Sequence, residues 1–402
     1  MKTVTRTLTI KLNVSVSDAM VLMHTAMAFS DACTFVSKYA FEHGLCLNSR
    51  ALHEAMYYDI RDRFDLKAQM AASVIRTVTA KYKTIDTQLK NGRHYTVNVD
   101  GTVHTFRKDV SWLKKPVVFH HLNYALVHGR DYSFLNDGKT LSFNTLNGRI
   151  KVNNAPILHS YIKSGKKFGG AYIYFKNGNW FFAVSYDQKV DDACIVPEST
   201  FVGIDRGIRY TGTCYDGKKT TFINGRPLAH RRAVYQETRA KLQAKGTKSA
   251  KRVLKRISGR ENRWMSDVNH QISKTLVSIY QNDTLFVLED LTGVSFDEIT
   301  HGNKEHNNAL RSWSFYDLEQ KLRYKAVLAG SEVLKVPAEY TSQRCPVCWT
   351  IDKEARNKET HTYTCKCCGY STNDDRVGAI NLYQLGKDYI HGDKHPRIRK
   401  HG

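Results

Sequence analysis

The stretch of sequence that decides the fold is residues 201–207, Phe-Val-Gly-Ile-Asp-Arg-Gly. Its first four residues are an apolar run typical of a strand buried on both faces, and the run ends at the charged Asp205. A second apolar run, residues 284–288, ends in the same way at Glu289. Because carboxylates at the C-terminal ends of neighbouring strands can converge on one point, the two runs predict a site for a hard cation such as Mg²⁺.

A third carboxylate belongs to the same hypothesis. The segment Asn373-Asp374-Asp375 lies where a helix is predicted to begin. Each of these acids also has an ordinary structural interpretation, because Asp is a common helix cap and a strand-end Glu is usually solvated. The residues alone therefore leave open whether Asp205, Glu289 and Asp375 form a metal site.

The cysteines give a more specific signal. Five of the nine lie within 24 residues, and four of them follow the pattern Cys345-x2-Cys348, sixteen residues, Cys365-x2-Cys368. Such clustering is typical of a zinc ribbon rather than of a disulfide framework. Four thiolates leave no open coordination position, so we expect a structural Zn²⁺, with Cys367 as a bystander.

The charge of the chain indicates its partner. There are 61 Lys and Arg against 38 Asp and Glu, a formal net charge of +23, which predicts a polyanion partner and most often nucleic acid. An anionic membrane is the alternative, but residues 19–36 are interrupted by His24, Ser30 and Asp31 and do not suit a bilayer span. The N-terminus also lacks the pattern of a signal peptide. We therefore expect no membrane partner and a cytoplasmic protein.

The excess charge is concentrated between Asp216 and Arg263. This segment holds fifteen Lys and Arg against three Asp and Glu. Seven of the cations recur at steps of three and four residues, so that one helix would gather them on one face. A solvated helix face is the alternative interpretation, but the scarcity of acids favours contacts with nucleic-acid phosphates. The seven are Lys248, Lys251, Arg252, Lys255, Arg256, Arg260 and Arg263.

In the rest of the chain, the pattern of apolar and polar residues changes several times. Residues 3–12 alternate as a strand does, residues 15–89 are helical in pattern, and residues 91–187 are short strands separated by Asp-Gly and Asn-Gly turns. This order suggests a β-barrel with a helical insertion. Further on we expect one long helical region over about 229–280, a polar loop at 295–308 and a helix with Leu318 and Leu322 in the core.

The order of these motifs resembles the split RuvC-like nuclease domain of the TnpB family. Members of this family are transposon-encoded RNA-guided DNA nucleases, and the compact type V CRISPR nucleases share their architecture. The resemblance covers about residues 200–385. The segments that carry it are Gly203-Ile-Asp-Arg-Gly207, Val287-Leu-Glu-Asp-Leu291, Tyr340-Thr-Ser-Gln-Arg-Cys345 and Cys368-Gly-Tyr370, followed by Asn373, Asp375, Ala379 and Asn381.

The resemblance implies an α+β multidomain fold. In it, a β-barrel wedge domain with a helical insertion precedes an RNase H-like (RuvC-like) α/β nuclease domain that is interrupted by a zinc ribbon. The expected boundaries are 1–12 and 91–190 for the wedge, 13–90 for the helical recognition lobe, 195–338 and 371–386 for the nuclease domain, 339–370 for the ribbon and 387–402 for a basic tail.

Three residues, at two places in the chain, depart from the family pattern. Val377-Gly378 stands where the family usually has Asn-Ala, and Trp349 replaces the usual Gly after Cys348. None of the three is a proposed metal ligand, but the helix that carries Asp375 could pack differently.

By resemblance, the chain is a transposon-encoded RNA-guided endonuclease that cuts double-stranded target DNA next to a short adjacent motif. Asp205, Glu289 and Asp375 would be the catalytic residues and would hold two Mg²⁺ ions for phosphodiester hydrolysis. Guide RNA would supply sequence specificity by base pairing, and the protein would hold the heteroduplex by its backbone. The resemblance also places the protein in a prokaryotic cytoplasm, at the nucleoid, encoded by the cell or by a phage.

Three other functions stay open at this point. A compact type V CRISPR effector would use the same chemistry, a nuclease-inactive RNA-guided repressor would bind DNA without cutting it, and a guide-free transposase would bind no specific RNA. The complete carboxylate trio argues against the repressor.

Overall fold

The computed structural model of the chain describes residues 1–92, 95–99, 102–153, 156–164, 166–280, 282–291 and 315–399, with the side chains of 95–99, 102–106 and 157 left out. The loop expected at 295–308 lies outside these residues. The chain forms two compact units, one of Met1–Val4 with Lys189–Gly402 and one of Thr5–Gln188.

Three helices build one side of the Thr5–Gln188 unit. They are α1 (Val16–Glu42), α2 (Ser49–Phe64) and α3 (Ala68–Lys90). Polar caps set where the first two begin, because the side chains of Ser15 and Asn48 accept hydrogen bonds from the backbone N–H of Asp18 and Ala51. The helices pack on one another through side chains that are almost fully buried, among them Leu22, Phe29, Leu52 and Val74.

Helix α1 is long and apolar enough to cross a membrane by length and composition alone. Its burial gives another reason for that composition, since Leu22, Phe29 and Val36 are at most 1 % exposed within the core of this unit. An apolar helix that buries one face in this way is typical of a core helix, although Met20 and Met27 of α1 stay exposed.

The strands of this unit form separate sheets in the described part of the chain. A four-stranded sheet has the order β1-β9-β8-β4, a three-stranded sheet the order β5-β6-β7, and β2 pairs with β3. The predicted closure into a barrel stays a prediction. The strands are β1 (Lys2–Lys11), β2 (Tyr95–Val99), β3 (Thr102–Phe106), β4 (Asn123–Leu126), β5 (Tyr132–Leu135), β6 (Thr140–Thr145), β7 (Gly148–Asn153), β8 (Lys167–Lys176) and β9 (Asn179–Val190), with helix α4 (Pro156–Lys163) between β7 and β8.

The other unit is organised around a mixed five-stranded sheet of order β12-β11-β10-β13-β14. The predicted buried runs are its two central strands, which pair in parallel. The bounds are β10 (Thr200–Asp205), β11 (Tyr210–Tyr215), β12 (Thr220–Asn224), β13 (Thr284–Asp290) and β14 (Glu332–Pro337). The helix α8 (Phe315–Leu328) places Leu318 and Leu322 in the core as expected.

The predicted long helical region consists of three helices. They are α5 (Arg226–Lys245), α6 (Lys248–Ile257) and α7 (Arg260–Tyr280). The chain turns at Ser258 and at Gly259, whose φ of +70° suits glycine. The prediction of one continuous cationic face was therefore wrong, because Arg260 and Arg263 lie on a different helix from the other five cations.

The last helix, α9 (Asp374–Ile390), packs closely on the central strand. A Cβ on Gly203 of β10 would lie 2.1 Å from the carbonyl oxygen of Ala379, and one on Gly386 would lie 2.7 Å from Cγ2 of Val287. At Gly203 the helix and strand backbones therefore touch without an intervening side chain, and at Gly386 the helix backbone lies against the Val287 side chain of β13.

The C-terminal region differs from the expected basic tail. Helix α9 continues to Ile390, and Ile398 is only 3 % exposed, in the core that contains Phe201 and Leu285. Residues beyond the helix are therefore attached to the fold by an apolar anchor, while Arg397 and Arg399 stay exposed.

Candidate active site

Asp205 and Glu289 meet because of strand register. Residues Ile204 of β10 and Leu288 of β13 are partners in the parallel pairing. The next residue on each strand is a carboxylate, so both acids lie at the same edge of the sheet. The sequence prediction of convergence at a strand end therefore agrees with this register.

Asp375 reaches the same place from helix α9. The side chain of Asn373 caps this helix by accepting hydrogen bonds from the N–H groups of Asp375 and Arg376. A Cβ on Gly378 would lie 2.8 Å from Oδ2 of Asp205. The glycine at position 378, where the family usually has alanine, thus has a physical reason, because the backbone of α9 lies directly against the Asp205 carboxylate.

The three acids share a buried environment that disfavours their charged forms. The pKa of Asp205 is raised well above its usual range by burial and by the charges of Glu289 and Asp375. Burial also raises the pKa of Glu289 and of Asp375, and the charge of Asp374 adds to the shift at Asp375. Like charges held together out of water are destabilising without a counter-ion, so the site favours a cation.

The two neighbouring acids of α9 have different surroundings. Asp374 is 1 % exposed, and its Oδ2 lies 2.9 Å from Nε of Arg356 and 3.6 Å from Nδ1 of His361. Oδ2 of Asp375 is buried and has no hydrogen-bond partner among the described residues. A buried carboxylate oxygen without a donor fits a metal ligand, which favours Asp375 over Asp374.

Arg356 is a site residue that the sequence did not reveal. It belongs to the short strand β15 (Arg356–Asn357) between the two cysteine pairs, and its Nη2 lies 3.2 Å from Oδ1 of Asp375. Its charge lowers the pKa of Asp205 and of Glu289 as well. Nothing in its local sequence distinguishes it, because its role depends on a contact with a helix eighteen residues further along.

Arg206 supports the site from within the protein. Its side chain is 1 % exposed, donates to the backbone carbonyl oxygen of Glu289 at 2.5 Å and lies 3.3 Å from Oε2 of Glu319. Lys335 joins the same Glu319 to Asp290. This ion network, buried at Arg206 and Glu319, fixes the end of β13, and with it the position of Glu289.

The four predicted cysteines come together. The sulfur atoms of Cys345, Cys348, Cys365 and Cys368 all lie within 4.8 Å of one another, with Cys345 and Cys368 3.6 Å apart. A tetrahedral zinc with bonds of about 2.3 Å would separate its sulfurs by about 3.8 Å, so the cluster fits Zn²⁺. Cys367 is exposed and not part of this group, as predicted.

Around the cysteines, β15, β16 (Thr362–Thr364) and β17 (Ser371–Asn373) form a small sheet of order β15-β16-β17. Trp349 has a φ of +66°, in the left-handed region that glycine adopts most easily, and the guanidinium of Arg344 lies 4.3 Å from its ring centre. This cation–π contact helps to hold a tryptophan in a conformation that costs a side chain free energy.

The ribbon is connected directly to the carboxylates. The hydroxyl of Thr341 donates a hydrogen bond to Oε1 of Glu289. Asn381 of α9 donates to the carbonyl oxygens of Thr341 and Arg344, both at 2.8 Å, and accepts from Nε of Arg344. The segment that leads into Cys345 is thus hydrogen-bonded to β13 and to α9.

The seven predicted nucleic-acid-binding cations are all exposed. Lys248, Lys251, Arg252, Lys255 and Arg256 lie on α6, and the structure gives none of the seven a carboxylate partner within the ranges it describes. Other cations of the same segment have ion-pair partners within the protein, since Arg232 and Arg239 both contact Glu261.

A cleft of about 780 Å³ opens beside Asp375. Its wall combines the loop after β10, the start of α5, the start of α9 and part of the ribbon. The ionisable side chains that line it are Arg209, Arg226, Arg356, Lys358, His361, Asp374 and Asp375.

Two family models match the chain. Residues 184–292 match the family described as "Probable transposase", and residues 315–382 match "Cas12f1-like, TNB domain". The first match includes Asp205 and Glu289, and the second includes the four cysteines and Asp375.

Individual relatives agree with these models. The chain is 25 % identical over 258 residues to the CRISPR-associated endodeoxyribonuclease Cas12f1 of Sulfoacidibacillus thermotolerans, covering 61 % of this chain and 56 % of that one. It is 23 % identical over 220 residues to the putative RNA-guided DNA endonuclease InsQ of Escherichia coli, covering 52 % and 54 %. It is 28 % identical over 233 residues to the TnpB-like protein MJ0751 of Methanocaldococcus jannaschii, covering 53 % and 81 %. The predicted similarity to the TnpB family is confirmed, and the chain spans about half the length of most of these relatives.

Solved structures show the same fold at lower sequence identity. A Cas12f1–sgRNA–target DNA complex matches with a TM-score of 0.56 and 13 % identity, over 92 % of this chain and 82 % of that chain. CasPhi-2 bound to crRNA matches with a TM-score of 0.53 and 10 % identity, over 99 % of both chains. The fold is therefore that of the compact type V nucleases, with mixed α and β content.

Proposed function

We propose that this chain, a relative of the TnpB-like proteins and of Cas12f1, is a transposon-encoded RNA-guided DNA endonuclease. The observation that carries the proposal is the convergence of Asp205, Glu289 and Asp375 at one edge of a mixed sheet, with raised pKa values and a free carboxylate oxygen. Its relatives are named as endonucleases, and the basic surface suits nucleic-acid partners.

We assign the nuclease centre to Asp205, Glu289 and Asp375, and these three would hold Mg²⁺. When bound, two such ions would supply an activated water and stabilise the leaving oxygen of a phosphodiester. The residues of the chain do the positioning: Thr341 and Arg206 orient Glu289, and Asn373 fixes the start of the helix that presents Asp375. Arg356 is placed to exchange its contact with Asp375 for a phosphate oxygen of the substrate.

We assign a structural zinc to the four cysteines. The metal would hold the ribbon in shape, and the ribbon in turn positions Thr341 and Arg356 at the carboxylates. The zinc would take no part in the chemistry, since four thiolates complete its coordination.

The domain assignments follow from this function. The sheet with α7, α8 and α9 would be the RuvC-like nuclease domain (195–338 and 371–386), interrupted by the ribbon (339–370). The remainder would be the wedge (1–12 and 91–190) and the helical recognition lobe (13–90). The partners would be a guide RNA and double-stranded target DNA in a prokaryotic cytoplasm, with α6 and the start of α7 contacting phosphates.

The test is an Asp205→Ala variant, purified with the RNA from its native locus and compared with the wild type on matched target DNA in Mg²⁺. We expect cleavage to be lost while guide binding is retained, because the change removes a metal ligand and leaves the basic surfaces intact. Glu198→Ala removes an exposed carboxylate of the same unit and serves as the matched control. Undiminished cleavage by Asp205→Ala would refute the site, and specific binding without cleavage by the wild type would indicate a repressor.

A further inference from the structure

The strongest unassigned feature is the wall of the cleft beside Asp375. We propose that Arg209, Arg226 and Lys358 form a phosphate-binding site there. The site would hold a phosphodiester group of the substrate strand that neighbours the phosphodiester that is cut. This inference rests on the proposed nuclease function and adds a subsite to it.

The backbone holds the two arginines side by side. Arg209 precedes β11, and its carbonyl oxygen accepts a hydrogen bond from the N–H of Gly225 at 2.8 Å. Gly225 is the residue before α5, and a Cβ there would lie 2.3 Å from the carbonyl oxygen of Ile208. This contact joins the loop after β10 to the start of α5 and brings Arg209 and Arg226 to the same wall.

The guanidinium of Arg209 lacks acceptors. Its Nε and Nη1 atoms are buried and have no hydrogen-bond partner in the described ranges. The ring of Tyr210 lies 5.1 Å from its Cζ, but a ring face does not accept from these N–H groups as an oxygen would. Buried donors without acceptors cost free energy, and an anion that accepted a charge-assisted hydrogen bond from this guanidinium would offset part of that cost.

The charges of the wall also require an anion. Arg356 contacts both acids that line the cleft, Asp374 and Asp375. Arg209, Arg226 and Lys358 then remain, and none has a carboxylate partner in the part of the chain that the structure describes. Helix α5 starts here without a side-chain cap, so its dipole adds positive potential.

Arg209 is not simply a counter-ion of the nuclease centre. Arg209 and Asp375 line the same cleft, so the guanidinium lies on the same wall as the carboxylate. Nevertheless Oδ2 of Asp375 and two nitrogens of Arg209 each lack a hydrogen-bond partner within the described residues. The carboxylate oxygen is thus left for a metal ion and the guanidinium for an anion, as a substrate that spans both would require.

The experiment pairs a protein change with a change in the DNA. Targets carry a neutral methylphosphonate at one position at a time around the cut site, and cleavage rates are measured with saturating Mg²⁺ and the native guide. For the wild type we expect a slowing of about tenfold at one neighbouring position. Arg209→Ala should slow cleavage of unmodified DNA about as much and make that position insensitive, because both changes remove the same contact. Arg209→Lys should restore part of the rate.

Arg323→Ala removes an exposed arginine of the same unit and should leave rates and sensitivity unchanged. The proposal would be overturned if the effects of Arg209→Ala and of the methylphosphonate on the cleavage rate multiplied at every position. It would also be overturned if Arg209→Ala did not slow cleavage. If Arg209→Ala fails to fold, Lys358→Gln on the exposed ribbon surface answers the same question. Cleavage that survives Asp205→Ala would instead refute the proposed function itself.

Discussion

At the scale of single residues, close approach decides the geometry of the centre. Gly203 lets helix α9 touch β10, and Gly378 leaves room for the carboxylate of Asp205. The three acids are consequently held nearer to one another than their charges favour. The fold therefore carries electrostatic repulsion that a bound cation would relieve.

This repulsion predicts how stability depends on pH. Folding raises the pKa of Asp205. The contribution of Asp205 to the free energy of unfolding is therefore most favourable at low pH. It is lost as the pH rises from the usual carboxylate range toward the pKa of the folded state. In Mg²⁺-free buffer at pH 7 we expect Asp205→Asn to melt at a higher temperature than the wild type, by about 2–4 °C for each kcal/mol relieved. The difference should vanish near pH 4 and shrink when Mg²⁺ is added. Thermal denaturation monitored by circular dichroism measures it, and a variant less stable than the wild type at pH 7 would contradict it.

At the scale of elements, the ribbon and the sheet act as one site. The ribbon supplies Arg356 to Asp375, and the segment before Cys345 supplies Thr341 to Glu289. Asn381 ties that segment to α9 through three hydrogen bonds. The shape of the ribbon consequently influences two of the three carboxylates.

Loss of the zinc should therefore impair the nuclease centre without touching a carboxylate. We expect Cys365→Ser to lose its bound zinc, to melt at a lower temperature and to cleave DNA at least about tenfold more slowly, because a structural zinc site contributes directly to folding. Elemental analysis, thermal denaturation and cleavage rates measure the three effects. Cys367→Ser is the matched control, since Cys367 is exposed and outside the cluster. A zinc-free variant with unchanged cleavage would show that the ribbon does not position the site.

At the scale of the whole molecule, the net charge of +23 is only partly available to a partner. Ion pairs within the protein engage some of it, since Arg232 and Arg239 share the single carboxylate of Glu261 and Lys241 pairs with Glu237. Helix α6 is different, because its cations are exposed and interleaved with no acid. We expect each cation of this helix to contribute more to the free energy of nucleic-acid binding than a cation that is already in an ion pair.

A matched pair of double substitutions tests that expectation. Lys251→Gln with Lys255→Gln should weaken guide RNA binding and reduce the steepness of its salt dependence by about 0.7–0.9 for each phosphate that the protein no longer neutralises. Lys241→Gln with Lys90→Gln removes the same charge from residues already in ion pairs with Glu237 and Asp86, and should change binding less. Filter binding between about 50 and 300 mM salt gives the slopes, because salt over this range screens exposed charges strongly. Equal weakening by the two pairs would show that only net charge matters.

By itself the sequence determined the four-cysteine cluster, the two strand-end carboxylates and the start of the last helix, because each rests on local spacing or on a run of apolar residues. It also predicted Leu318 and Leu322 in the core from helical spacing. It did not predict the break at Gly259, where a helical charge pattern continues across a turn that one glycine permits. Tertiary structure decided the pairing of Asp374 with Arg356, the free oxygen of Asp375, the need for Gly378 and the position of Arg209 beside α5. These features depend on contacts between segments far apart in the chain, and such contacts leave no periodic signal in either segment.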